Sequence, residues 1–267
     1  MTLTRTTTVF AIIVLIWSSS LLGQTQSAEE IMQKSHLAMY YSADDGLADV
    51  KMTIVNSKGK ERVREFTMLR MDQEDGGKQM YYTYFRKPSD VSRLTFMVHK
   101  IPDASDNRWL YVPAVDLVKR ISADDKNSSF VGSDFTYEDV SGRHWSEDSH
   151  TLLKEDMLSE RAVYVIESVP KEEYDGFSRK VSYIDKQNWL PLKEEYYDKK
   201  DALHRVFTAE NVQEVDGVNT ATVRKMENVK KNQSTTVIFS QIEYNVGVES
   251  DVFTERYLKN PPRKFIK

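Results

Sequence analysis

The sequence predicts a mainly β protein, an antiparallel meander long enough to curl around an interior space. Three observations carry this reading. From residue 47 onward the chain is a series of short runs rich in Val, Ile, Thr, Tyr and Phe. Short polar turns separate them: Ser57-Lys58-Gly59, Asp75-Gly76-Gly77, Asp185-Lys186-Gln187-Asn188, Asp198-Lys199-Lys200-Asp201 and Asp216-Gly217 are hairpin chemistry. Successive hairpins exclude βαβ units and a parallel sheet.

Residues 1–27 read as a secretory signal. Arg5 supplies the positive start, and Val9–Trp17 is an unbroken apolar run. The run suits a signal core and falls short of the ~20 residues that span a bilayer. Small residues allow cleavage after Gly23, Ser27 or Ala28. Residues 28–267 then form one predicted domain. It opens with a helix, because Ser27 and Glu30 have capping-box spacing and Ala28, Ile31, Met32, Ser35 and Met39 share one face. A cut near Gly23 keeps that cap.

Strands are predicted at 47–55, 60–71, 78–87, 92–100, 107–112, 115–121, 151–155, 161–169, 177–185, 190–198, 202–213, 218–229 and 234–245. Two segments break the rhythm. The 122–150 connection carries Phe130, Phe135, Tyr137 and Trp145, and loops of that length are functional or partly helical. Residues 249–258 suggest a short helix capped by Ser250 or Asp251.

Composition narrows the function. The 267 residues include no cysteine, which excludes disulfides, thiol catalysis and a lipidated N-terminal cysteine. Net charge is −4, without the basic balance that a nucleic-acid partner needs. Fourteen Tyr, eleven Phe, four Trp and ten Met give much flat or flexible apolar surface. In 60–71, Phe66 and Met68 oppose Val63, Leu69 and Met71, and in 78–87 Tyr82 and Tyr84 oppose Tyr81 and Phe85. A sheet with one wet face would be polar on one side. Apolar residues on both faces fit a sheet covered outside and lining a cavity inside, or an ordinary sandwich core.

The stretch Arg108-Trp109-Leu110-Tyr111-Val112-Pro113-Ala114, followed by Val118–Ile121 and by Ser129-Phe130-Val131-Gly132-Ser133-Asp134-Phe135-Thr136-Tyr137-Glu138-Asp139, resembles the LolA-like periplasmic outer-membrane lipoprotein-sorting proteins. The ending Asp251-Val252-Phe253-Thr254 with Pro261-Pro262 is also similar. The resemblance implies a half-open antiparallel β-barrel of about 11 strands, with lid helices over an apolar cavity that shelters acyl chains. It implies a periplasmic location and partners that load and unload the carrier: an inner-membrane transporter and an outer-membrane acceptor. An adaptor or lipid sensor working with an RND-type transporter is the alternative function. Met52, Phe66, Met68, Tyr82, Tyr84, Phe96, Trp109 and Tyr111 are the candidate lining, each with plain core as its other reading. The candidate lid is the 28–41 helix with Ile31 and Met32, plus Phe130, Phe135 and Tyr137. Arg108, Lys119 and Arg120 are candidates for a head-group contact. The classical carrier ties its lid with an arginine directly before a proline. Here Lys87 precedes Pro88 and Arg86 is one residue earlier, so Arg86 or Lys87 is the candidate latch.

An enzyme reading is weak. No nucleophile elbow, His-Glu-x-x-His pair or phosphate-cradling loop is present. His144 and His150 are close but match no defensible zinc spacing. Glu194-Glu195 puts carboxylates on opposite strand faces, which is poor for paired acid–base work. No cofactor or metal is expected, and a monomer is.

Overall fold

The computed structural model describes residues 26–102 and 104–266, so the predicted signal segment lies, up to residue 25, outside the described residues. Helix α1 (Ala28–Tyr40) starts with the predicted capping box: the Ser27 hydroxyl accepts the Glu30 N–H, and the Glu30 carboxylate accepts the Ser27 N–H. Its buried face is Ala28, Ile31, Met32, Ser35 and His36.

Thirteen strands follow: β1 (Asp45–Val55), β2 (Glu61–Asp72), β3 (Gln79–Lys87), β4 (Thr95–Lys100), β5 (Asn107–Val112), β6 (Leu117–Ile121), β7 (Asp148–Leu158), β8 (Arg161–Pro170), β9 (Arg179–Asp185), β10 (Pro191–Tyr197), β11 (Leu203–Val215), β12 (Val218–Asn228) and β13 (Gln233–Tyr244). The sheet thus has thirteen strands rather than about eleven, because each β-rich run of the sequence forms its own strand. All belong to one sheet in the order β6-β5-β4-β3-β2-β1-β13-β12-β11-β10-β9-β8-β7. Every pairing is antiparallel. The predicted hairpin turns hold. At Asp216-Gly217 both residues have positive φ (50° and 81°), the conformation that a two-residue hairpin joining β11 to β12 requires.

The long-range join is β1 against β13, which places the chain's two halves side by side. β6 and β7 are left as free edges, and the sheet stays open. The connection between those edges crosses the concave face. It contains a 3₁₀ turn at Phe130–Gly132, helix α2 (Tyr137–Ser141) and a second turn at Trp145–Glu147. On the convex side the C-terminal segment lies over β2–β5. It is not one capped helix. A 3₁₀ turn (Ser250–Phe253) and helix α3 (Glu255–Lys259) are separated by extended Thr254, with no side-chain cap on either. The break lets Phe253 and Leu258 both reach the sheet, where each is fully buried. The Asp45 carboxylate anchors this segment by accepting the N–H groups of Val246, Gly247 and Val248 at 2.7–3.0 Å.

Among the described residues no helix is long and apolar enough to cross a membrane.

Candidate functional site

Strand alternation sorts the aromatic residues by face. On the concave side Val50, Met52 and Ile54 of β1, Phe66 of β2, Tyr81 and Phe85 of β3, and Phe96 and Val98 of β4 form one cluster. Phe130 of the crossing segment inserts into it, with ring centroids 5.4 Å from Phe96, 5.9 Å from Phe85 and 5.7 Å from Tyr137. On the convex side Leu69, Met80, Tyr82, Met97, Trp109 and Tyr111 pack under Val248, Val252, Phe253, Leu258 and Ile266. The Tyr82 hydroxyl donates to the carbonyl of Tyr257 at 2.7 Å.

The candidate lining therefore splits. Met52, Phe66, Met68 and Phe96 are on the concave face. Tyr82, Tyr84, Trp109 and Tyr111 are on the other face, in the core beneath the C-terminal segment, and are not concave lining. The reason is the strand period of two: β3 supplies aromatic residues to both faces, and sequence alone does not say which face is enclosed.

The lid residues also fall in two places. Ile31 and Met32 pack on Ile166 and Ile184 of β8 and β9. Phe130 and Tyr137 plug the concave face of β1–β4, and Phe135 touches both that cluster and the one around Phe177, Tyr196 and Phe207. The two lid pieces meet at Gly142. Its φ is +74°, and a Cβ there would come within 2.4 Å of the Tyr40 ring, so only glycine lets the crossing segment close on the end of α1.

The candidate latch residues pair with carboxylates of the sheet rather than with the crossing segment. Arg86 points to the convex side and pairs with Asp49 at 3.0 Å. Lys87 is exposed and pairs with Glu65 at 3.2 Å. A one-residue shift along β3 turned the cation away from the lid. Other groups tie the crossing segment down. Arg205 of β11 donates to Asp139 at 2.6 Å with both side chains largely buried. The Thr235 hydroxyl donates to the Asp134 carboxylate at 2.8 Å. Arg62 donates to the Gly132 carbonyl at 3.1 Å. Buried Lys100 donates to the carbonyls of Ser141 and Gly142. Sequence reading missed Arg205 and Lys100. Their only local signal is a cation at a concave position of a strand, visible once the sheet curvature is known.

The head-group candidates do not converge. Arg108 is buried and neutralised by Asp106 at 2.6 Å, Lys119 is exposed, and Arg120 stacks over the Trp109 ring on the convex side at 5.2 Å. The histidine pair is structural: His150 binds Ser168 and the Trp145 carbonyl, both at 2.9 Å. Among the described residues no three His, Cys, Asp or Glu side chains group to hold a metal.

The concave face of β9–β12 differs from that of β1–β4. It carries Lys180, Ser182, Glu194, Tyr196 and Arg205. Glu194 accepts from Lys180 at 2.8 Å, Ser182 at 2.9 Å and Tyr196 at 2.6 Å. Burial opposes its ionisation, but these partners outweigh burial and hold the carboxyl below its usual range. Glu138 of α2 is likewise lowered against burial by Lys126, Tyr174 and Arg143.

Three adjoining cavities of about 100, 110 and 70 Å³ occupy this interior. Side chains of the lid divide them. Tyr40 and Met39 border the first two, Phe135 and Asp139 the first and third, and Val140 the second and third. Each is smaller than the roughly 300–1,000 Å³ of an open ligand pocket. The crossing segment and the end of α1 fill the rest of the space.

Comparison with known proteins agrees with this architecture. A family model described as "Uncharacterized protein" matches residues 77–260. A search of curated proteins finds no match. Among solved structures, a domain from Vibrio parahaemolyticus assigned to outer-membrane lipoprotein sorting superposes with a TM-score of 0.81 at 30% identity, over 87% of this chain and 98% of that one. A DUF1329 family protein from Desulfovibrio piger gives a TM-score of 0.79 at 27% identity, over 85% and 97%. A LolA superfamily protein from Nitrosomonas europaea shares the fold at 16% identity, with a TM-score of 0.67 over 87% and 99%. With that fold and that sorting-domain relative, the chain belongs to the LolA-like group of lipoprotein-sorting proteins.

Proposed function

We propose that the protein is a periplasmic carrier that shelters the acyl chains of lipids or lipoproteins on their way towards the outer membrane. One observation carries the reading: a curved apolar sheet face is covered by a segment held by a few polar ties, and side chains of that segment and of the end of α1 divide the space beneath it. An acyl chain gains roughly 0.8 kcal/mol for each CH₂ withdrawn from water. Phe130, Phe135 and Val140 fill part of that space in the closed form, so an entering chain exchanges one apolar contact for another. The exchange keeps net affinity moderate and release feasible. Met52 and Met68 supply adaptable walls. The Vibrio relative's assignment to lipoprotein sorting supports the cargo class, and the apolar run near the N-terminus supports export. Loading by an inner-membrane transporter and delivery to an outer-membrane acceptor belong to the same proposal, with the protein acting as a monomer and as a binder rather than an enzyme.

The test is binding of a fluorescent fatty-acid probe to the protein without its signal segment. Phe135→Glu places a charge between the lid and the apolar face and is expected to weaken probe binding by at least tenfold, about 1.4 kcal/mol. Unchanged affinity in a folded variant rejects the lid assignment. No probe binding by the unaltered protein rejects the carrier reading.

A further inference from the structure

The cations bordering the three interior cavities are Arg70, Arg143, Lys180, Arg205 and Arg224. Four have a carboxylate partner: Asp72 for Arg70, Glu147 and Asp148 for Arg143, Glu194 for Lys180 and Asp139 for Arg205. Arg224 has none within ion-pair distance among the described residues. It makes one long hydrogen bond, from Nε to the Ala221 carbonyl at 3.4 Å, and its guanidinium lies over the Phe239 ring at 4.6 Å. The carboxylates that share its cavities are all taken. Asp139 is held by Arg205, Glu138 by Lys126, Asp148 by Arg143 and Glu194 by Lys180.

Its position is as telling as its lack of a partner. Arg224 pairs in register with Val237, an apolar concave residue, on one side and with Ala209 on the other. β12 stands where the apolar half of the interior gives way to the polar half. Arg224 borders all three cavities, and Tyr40 borders two of them with it. Burial lowers the guanidinium from its ordinary range, though arginine stays charged. Its side chain is half-buried and borders the cavities without a carboxylate partner, and its planar fork suits bidentate contact with a carboxylate or phosphate.

We propose that Arg224 binds the anionic head of the cargo, so that the protein takes a carboxylate- or phosphate-bearing acyl amphiphile with its head inside the sheet and its chain along Phe66, Met68 and Phe239. This rests on the carrier reading and specifies which acyl ligand it takes.

The experiment displaces a neutral acyl probe with three ligands of equal chain length at a pH where the acid is ionised: a fatty acid, its methyl ester and a lysophosphatidic acid. The unaltered protein, Arg224→Met and Arg224→Lys are compared, with circular dichroism to confirm folding. The unaltered protein is expected to prefer the anionic ligands over the ester by about tenfold or more. Arg224→Met should erase that preference with ester affinity kept, and Arg224→Lys should keep part of it. Tighter binding of the fatty acid identifies a free-acid cargo, and tighter binding of the phosphate a phospholipid one; both support the site. Equal affinity for acid and ester in the unaltered protein, or a preference that survives Arg224→Met, overturns it while the carrier reading stands. If neither acid nor ester binds, the carrier reading itself fails. Should Arg224→Met not fold, the acid-to-ester ratio of the unaltered protein and of Arg224→Lys decides.

Discussion

The two halves of the sheet share one architecture and opposite interiors. In β1–β5 the concave face is aliphatic and aromatic, the lid contributes Phe130 and Tyr137, and the convex face is buried too, under the C-terminal segment. In β8–β12 the concave face carries paired charges, and the lid contributes Asp139 and Glu138. The same backbone scaffold therefore holds its cover mainly by apolar burial on one side, with Arg62 and Lys100 donating to backbone carbonyls, and by the Arg205–Asp139 ion pair on the other. Apolar packing is non-directional and tolerates exchange for another apolar group, whereas a buried ion pair is specific in geometry and costly to break singly. A ligand with a chain and a charged head meets both chemistries in sequence, with Arg224 between them.

This contrast can be broken at its strongest point first. Phe130→Ala removes a ring buried among four aromatic neighbours, Phe66, Phe85, Phe96 and Tyr137. It is expected to cost about 3–5 kcal/mol in urea unfolding. A loss under about 1 kcal/mol means the plug is not seated in the apolar half. Asp139→Asn on the polar side leaves the Arg205 guanidinium without its carboxylate and is expected to cost about 3 kcal/mol. The double variant Asp139→Leu with Arg205→Met should recover most of it, because two apolar groups of similar size need no partner. A double variant no better than the single one shows that the pair does more than satisfy itself.

The smallest effect is the response to pH. Burial lowers His36, with Lys100, His144 and Lys180 adding to the effect. It also lowers His150 and His204. A histidine lowered on folding binds fewer protons in the folded state, so its contribution is present above its unfolded value and is lost as pH falls. Burial pushes Asp72 up to about 6, which acts in the opposite direction between its ordinary value and about 6. Above about pH 6 the histidines prevail, and the melting temperature is expected to rise from about pH 6 to about pH 7. Replacing His36 with Asn should flatten that rise. A slope unchanged by the substitution assigns the pH response away from the α1–lid contact.

The fold was legible to a high degree, and the site to a lesser one. Turn chemistry and period-two alternation are local, so all thirteen strands appear within three residues of their predicted ends. The capping box at Ser27 and Glu30 is equally local. The lining was half legible. Met52, Phe66, Met68 and Phe96 are concave, but Tyr82, Tyr84, Trp109 and Tyr111 carry the same residue types on the other face. The ties of the lid were not legible for a related reason. The crossing segment is tied from the concave face of β2, β4, β11 and β13, whereas Arg86 and Lys87 pair with Asp49 and Glu65.

By itself, the sequence determined an antiparallel meander, a long aromatic connection and an excess of apolar residues on both strand faces, because hairpin turns and alternation depend on neighbours a few residues apart. Which face is enclosed, what holds the lid and which cation stands unpaired were decided only by tertiary structure. The β1–β13 join and the return of the C-terminal segment over β2–β5 bring together residues about 200 positions apart, such as Asp45 with Val246 and Val248, and no local pattern encodes such a pairing.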